Sequence, residues 1–368
     1  MNKNPLLQLK AMGQHVWLDN LSRTLLQEGV LQRLITEDGI DGVTSNPAIF
    51  QKAIADSPYY REDLQRLRGS NLDAEARYEA LVIPDIQAAC DIFLPAYASS
   101  LGETGYVSLE VSPALAHDMA GTEAAARRLR QAVGRDNLLI KVPATPAGVR
   151  AFEQLTAAGI RVNVTLIFSL AQYEAVAQAY LRGAVRWLDG GGGGGENAKQ
   201  LRSVASVFLS RVDTLVDKRL DAIATADTAQ IQTLKGRSGV ALAKRCYYRY
   251  LEIFHGPEFA TLSQAGVRPQ TPLWASTGTK NPAYSDVLYV EPLIGAETIN
   301  TLPDATLAAF REHGRAATTL MTGMDEVQAH TEALVALGID LNDVGETLQT
   351  EGVRLFAEAY EKLLVAVQ

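Results

Sequence analysis

The chain has 368 residues, of which 47% are hydrophobic, enough for a large core and unlike a disordered segment. Its formal net charge of −8 argues against a broad nucleic-acid surface, so an anionic small substrate would need cations gathered locally. Two cysteines, Cys90 and Cys246, lie far apart in helix-like sequence, which disfavours a disulfide scaffold or structural zinc and fits a reducing, cytoplasmic compartment.

The opening Met1-Asn-Lys-Asn-Pro-Leu-Leu-Gln has no signal-peptide run, and no stretch reads as long enough for a membrane span. A short apolar strand from His15 ends at Asp19. After Ser22, Leu26, Val30, Leu31, Leu34 and Ile35 repeat at helical spacing until Gly39. Ile40-Asp-Gly-Val-Thr-Ser-Asn-Pro-Ala-Ile-Phe50 is a strand running into a turn at Asn46-Pro47. Residues 51–100 read as helical, with a polar break near Gly69. The third strand is 106–112, with Glu110 inside it, and a helix follows over 123–133.

Asn137-Leu-Leu-Ile-Lys-Val-Pro-Ala144 reads as a buried fourth strand that contains a lysine. An ammonium loses its hydration in such a place. Burial there is expected to depress the lysine pKa and enlarge the share of free amine, a nucleophile towards carbonyls. A helix over 147–158 leads to a fifth strand over 161–168, whose alternation puts Asn163 and Thr165 on one face. The helix over 171–188 runs into six glycines from Gly190 to Gly195. With Glu196-Asn197 after them instead of Gly-Lys-Ser/Thr, they read as a surface loop and not a phosphate cradle.

A sixth strand spans 203–210, and helices are expected over 211–224 and 228–254. A seventh strand over 272–276 has the polar exit Thr277-Gly-Thr-Lys-Asn-Pro282. The run Val287-Leu-Tyr-Val-Glu-Pro-Leu-Ile294 reads as the eighth strand. From Leu302 the chain reads as helical to its end, with Asp343 and Glu346 spaced as a capping box. Eight strands separated by helices predict a (β/α)8 TIM barrel with additional helices, in one domain over 1–368, with a doubly wound sheet as second choice. No GxGxxG follows the first strand.

In such a barrel the strand ends build the site. The polar residues there are Asp19, Asn46, Glu110, Lys141, Asn163, Thr165, Ser206 with Arg211, and Lys280. Each also has a structural explanation: Asp19 as a cap, Asn46 as a turn residue, Glu110 as an ion-pair partner of Lys141, Thr165 and Ser206 as strand hydroxyls, Arg211 and Lys280 as solvated charges. Together they supply more. A lysine nucleophile needs a proton donor and acceptor, which Glu110 and Asp19 provide. The asparagines suit sugar hydroxyls, and Ser206, Arg211 and Lys280 suit a phosphate. The five histidines are scattered, so no metal is expected.

The segments Asp41-Gly-Val-Thr-Ser-Asn-Pro-Ala-Ile-Phe50, Leu139-Ile-Lys-Val-Pro-Ala144, Gly159-Ile-Arg-Val-Asn-Val-Thr-Leu-Ile-Phe-Ser169 and Leu273-Trp-Ala-Ser-Thr-Gly-Thr-Lys-Asn-Pro282 resemble those of transaldolases over nearly the whole chain. The likeness is to the longer bacterial branch, some of whose relatives are fused to glucose-6-phosphate isomerase, although no isomerase domain is seen here. It implies a cofactor-free barrel of the pentose phosphate pathway that acts on sugar phosphates. A dihydroxyacetone unit would pass from sedoheptulose 7-phosphate to glyceraldehyde 3-phosphate, giving erythrose 4-phosphate and fructose 6-phosphate.

Carried over by motif, Lys141 would form the Schiff base and Glu110, through a water near Thr165, would shuttle protons. Asp19 would take the C4 hydroxyl proton. Asn46 and Asn163 would bind the dihydroxyacetone hydroxyls, and Ser206, Arg211, Lys280 and Ser276 the phosphate. Where many transaldolases have Arg, this loop has Lys280 and is longer, which shifts the match of Ser276 and Lys280 by a residue or two. Fructose-6-phosphate aldolases resemble the chain too, but with Gln and Tyr at the positions of Glu110 and Phe208. The alternatives are therefore release of free dihydroxyacetone, or a barrel that binds sugar phosphates without turnover. Homodimer and monomer both remain open.

Overall fold

Eight short parallel strands close on themselves in chain order: β1 (Gln14–Leu18), β2 (Gly42–Thr44), β3 (Tyr106–Glu110), β4 (Leu138–Pro143), β5 (Val162–Ile167), β6 (Ser203–Phe208), β7 (Thr271–Ala275) and β8 (Thr298–Leu302). The structure is a computed structural model and describes residues 4–192, 195–223 and 228–368. Helices follow every strand but β7, whose link to β8 holds turns and one 3-10 turn among the described residues, and they cover the barrel in the (β/α)8 architecture expected from the alternation of elements. β4, β5 and β6 are buried along their whole length, as strands packed on both faces must be.

The eighth strand is not where the sequence suggested. Val287-Leu-Tyr-Val forms turns, and Glu291–Leu293 is a single 3-10 turn containing Pro292, which cannot donate to a ladder. The barrel is closed instead by Thr298-Ile-Asn-Thr-Leu302, which pairs with β1 along its full length. That strand reads as polar, but its polar groups are satisfied by the fold. Thr298 accepts from the Gln14 amide at 3.0 Å and donates to the Gly295 carbonyl at 2.6 Å. Thr301 shares a hydroxyl bond of 2.8 Å with Thr44, and the Asn300 amide donates to the Tyr289 carbonyl at 2.9 Å.

Other expectations shift in smaller ways. The helix after Ser22 is broken at Gly29 into Arg23–Gln27 and Val30–Asp38. The helical stretch expected over 228–254 is Thr228–Leu234 and Ser238–Phe254, parted at Gly236. The end of the helix expected to reach Ala224, and Gly193 and Gly194 of the glycine run, lie outside the described residues. The last helix, Leu341–Val367, is capped by Asp340, whose carboxylate accepts from the Asn342 N–H at 2.8 Å. Asp343 and Glu346 therefore lie inside the helix and form no capping box.

The helix Ala74–Ser99 corrects the membrane expectation: by length and composition it is apolar enough to cross a bilayer. Here one face of it, with Leu81, Val82, Ile86, Ala89 and Phe93, is buried in the hydrophobic core, while Leu94 is exposed. Its Asp85 accepts from Arg23 at 2.9 Å and from the Tyr60 hydroxyl at 2.7 Å, so the helix carries a paired charge into the interior.

What positions the site is the way Leu341–Val367 crosses the ends of the strands. Residues 345, 349, 352 and 356 recur at helical spacing and face the barrel. Gly345 and Gly352 let the backbone come close: a Cβ at 345 would lie 2.6 Å from the Ser169 side chain, and one at 352 would lie 3.1 Å from that of Leu166. The Gln349 amide ties the helix to the strand ends, donating to the carbonyls of Ala144 at 2.9 Å and Leu166 at 3.1 Å. Leu166 itself has φ +61°, at an irregularity in the β5–β6 register just past Thr165. Phe356 is thereby set over the barrel mouth.

Candidate active site

The register of the parallel ladder decides the site. Glu110 of β3 pairs with Lys141 of β4, and Lys141 with Asn163 of β5, so the three side chains share one face. That face is the barrel interior, because the Asn163 amide reaches across β4 to donate to the Ser108 hydroxyl at 3.1 Å. The Ser206 hydroxyl donates to the Asn163 carbonyl oxygen at 2.7 Å. Ser108, Asn163 and Ser206 thus form a bonded polar layer in the barrel. Glu110, Lys141 and Thr165, each two residues on from a strand position in or beside that layer, point towards the mouth.

Lys141 is 4% exposed. Its Nζ donates to the Ser45 carbonyl at 3.3 Å and lies 3.3 Å from Glu110 Oε2. It is also 5.7 Å from the centre of the Phe356 ring. Among the described residues, Glu110 Oε2 and Thr165 Oγ1 are buried without a hydrogen-bond partner. Burial pushes the Glu110 carboxyl above its ordinary 4.5, Lys141 pulls it down, and Asp19 adds to the upward push.

Asp19 follows the last residue of β1 and accepts from the Thr44 hydroxyl at 2.9 Å. It too is raised from its ordinary 3.8 by burial, which outweighs the opposing pull of Lys141, the Thr44 hydroxyl and Lys280. Two buried carboxyls with upward-shifted affinities for a proton flank one lysine and form an acid–base group beside a cavity that Asp19 and Lys141 line.

That cavity is lined by Asp19, Asn46, Lys141, Thr165, Ser206, Phe208, Arg211, Ser276 and Lys280. Nine of the eleven residues picked from sequence therefore share it. Glu110 and Asn163 stand outside its lining, against Lys141 and Ser206 respectively. Asn46 holds both of the roles weighed for it: its side-chain oxygen caps the helix Pro47–Asp56 by accepting from the Ile49 N–H at 3.0 Å, and the residue also lines the cavity.

Arg211 lies between two rings, 5.7 Å from the centre of Phe208 and 5.9 Å from that of Phe356. Its Nη1 is buried with no hydrogen-bond partner among the described residues, and burial lowers its pKa against the pull of Glu351. Ser276 sits at φ +54°, a conformation side chains seldom adopt, and shares a hydroxyl bond of 2.9 Å with Ser210. Lys280 is exposed on the rim. An idle guanidinium nitrogen, hydroxyls and a rim ammonium at one end of a cavity suit an oxyanion.

Sequence reasoning missed four contributors. The Thr44–Thr301 pair braces Asp19, and Thr44 stood in a quoted motif without a role. The Ser45 carbonyl holds Nζ. Phe356 was legible as an apolar helix residue but not as part of the site, because its place depends on packing some 200 residues away in sequence. Among the described residues, no group of three or more His, Cys, Asp or Glu is arranged to hold a metal.

A (β/α)8 barrel with a walled-in lysine and two carboxyls at its mouth is equipped for amine-based carbonyl chemistry. The family model for transaldolase/fructose-6-phosphate aldolase matches residues 16–367, and the chain belongs to that family. A protein of Thiobacillus denitrificans named transaldolase is 54% identical over 356 residues, covering 97% of each chain. One of Neisseria gonorrhoeae, also named transaldolase, is 47% identical over 359 residues and 98% of each chain. A protein of Nostoc named transaldolase 2 is 42% identical over 373 residues, covering 99% of this chain and 97% of its own.

Proposed function

We propose that this chain is a transaldolase, working as a single barrel domain on phosphorylated sugars. The observation that carries the reading is the Lys141–Glu110 pair, 3.3 Å apart on adjacent strands beside a cavity that Asp19 also lines. The Lys141 amine adds to the C2 carbonyl of the donor ketose. Glu110 passes a proton to the C2 hydroxyl of the carbinolamine, which leaves as water and gives the imine. Asp19 takes the proton of the C4 hydroxyl, the C3–C4 bond breaks, and the aldehyde departs. The three-carbon unit stays on Lys141 until the acceptor aldehyde enters and Asp19 returns the proton. With sedoheptulose 7-phosphate and glyceraldehyde 3-phosphate the products are erythrose 4-phosphate and fructose 6-phosphate.

Asn46 lines the cavity and suits the hydroxyls of the three-carbon unit. Asn163, held from both sides by Ser108 and Ser206, keeps the layer under Lys141 rigid and reaches substrate only by exchanging one of those bonds. A cytoplasmic location goes with this reading, since Cys90 and Cys246 are buried free thiols.

Transfer is separated from release by the acceptor. Consumption of fructose 6-phosphate should rise about a hundredfold or more when erythrose 4-phosphate is added, because the three-carbon unit otherwise stays bound. Equal consumption with and without acceptor would mean that free dihydroxyacetone is released. The phosphate end has its own test. Lys280→Ala is expected to raise KM for phosphorylated donors by about tenfold, and Arg211→Ala by more, with little change for unphosphorylated fructose. An equal effect on both sugars would remove these residues from phosphate binding.

A further inference from the structure

Two cavities approach the Lys141–Glu110 pair. The cavity at the mouth is lined by Lys141 but not by Glu110. A second cavity is lined by Glu110 but not by Lys141. It runs between the helices Ala74–Ser99 and Met119–Val133 and the turn Pro113–Leu115, with Tyr360 of the C-terminal helix over it. It reaches the surface, since Glu75 and Ala114 on its wall are exposed. The wall is largely apolar, with Val82, Leu109, Leu115 and Leu129, but it carries polar groups at both ends: Ser112 stands two residues from Glu110, and the Tyr360 hydroxyl donates to Glu75 at 3.2 Å. The Glu110 side chain is 7% exposed, and the space it touches belongs to this second cavity.

We propose that the second cavity is the water port of the active site. The inference rests on the Schiff-base reading of Lys141. A ketose phosphate seated in the mouth cavity, its phosphate near Arg211, closes the route by which it entered. Collapse of the carbinolamine then has to dispose of a water: the Glu110 carboxyl gives its proton to the C2 hydroxyl, the C2–O bond breaks, and the nitrogen lone pair closes the C=N bond. The water forms beside Glu110, at the inner end of the second cavity, and leaves past Ser112 under Tyr360. Hydrolysis runs the same step backwards. A water enters by the port, Glu110 takes its proton, and the oxygen adds to C2. Protons and oxygen balance in each direction, and neither passes the bound sugar.

The oxygen of the donor carbonyl reports on this path. Fructose 6-phosphate labelled with oxygen-18 at C2 loses its label to solvent only if the released water escapes before it re-adds. Ala125 and Ala114 line the second cavity and lie outside the machinery described above. Ala125→Leu and Ala114→Leu are expected to slow enzyme-dependent washout of the label by about tenfold, while borohydride trapping of the imine on Lys141 stays within about twofold of the parent. The exposed Ala114 keeps the test available if the helix substitution impairs folding. Unchanged washout in the folded variants would overturn the port, as would washout and trapping falling together. Absence of any trapped imine in the parent protein would remove the Schiff-base reading itself, a result distinct from either.

Discussion

Lys141→Met is expected to abolish turnover, lowering kcat by roughly four orders of magnitude or more while leaving the fold intact. Methionine keeps the length and apolar contacts of the lysine stem, so β4 remains packed between β3 and β5. It removes the atom that bonds to the substrate, and among the described residues the cavity wall holds one other lysine, Lys280, exposed on the rim. It also removes the charge that holds the Glu110 carboxyl down against its burial. Glu110 then takes up a proton more readily, which spares the variant an isolated buried charge. Steady-state assay with fructose 6-phosphate and erythrose 4-phosphate, beside a thermal melt, checks both halves. A folded variant with activity within tenfold of the parent would contradict the assignment.

Asp19→Asn should divide the reaction at its midpoint. The amide keeps an acceptor for the Thr44 hydroxyl but cannot take a proton from the C4 hydroxyl. The imine should still form and be trapped on Lys141, while kcat falls by about two to four orders of magnitude. The sign of the pH effect follows from the direction of the shift. Burial raises the Asp19 carboxyl above 3.8, and the carboxylate is the working form. Activity in the parent therefore falls as pH drops through a value higher than that of an ordinary aspartate. In the variant this part of the acid limb disappears, and Glu110, also raised, sets what remains. Imine formation and turnover lost in equal proportion would show that Asp19 supports the lysine instead of acting on the C4 hydroxyl.

Much of the barrel was legible because most of its strands are short, mainly apolar runs separated by helical periodicity, with polar residues at or near one end. Lys141 stood out for the same reason: five apolar neighbours left an ammonium without local explanation. Glu110 already stands in the sequence as a possible ion-pair partner of Lys141, but their 3.3 Å approach follows from register, which neither strand encodes alone. β8 was misread because the apolar run ending at Ile294 outscored Thr298-Ile-Asn-Thr-Leu302. The latter is a strand because Gln14, Thr44 and Tyr289, distant in sequence, satisfy its polar groups. Phe356 shows the same limit. Its helix could be read from periodicity, but its position over Lys141 depends on Gly345, Gln349 and Gly352 meeting the ends of β4 and β5 and the turn after them.

Borohydride reduction in the presence of fructose 6-phosphate, followed by peptide mass spectrometry, tests the central claim most directly. The account predicts irreversible inactivation, with one three-carbon or six-carbon adduct per chain, on Lys141. An adduct on Lys280 or elsewhere with Lys141 unmodified, or full activity after reduction, would contradict it.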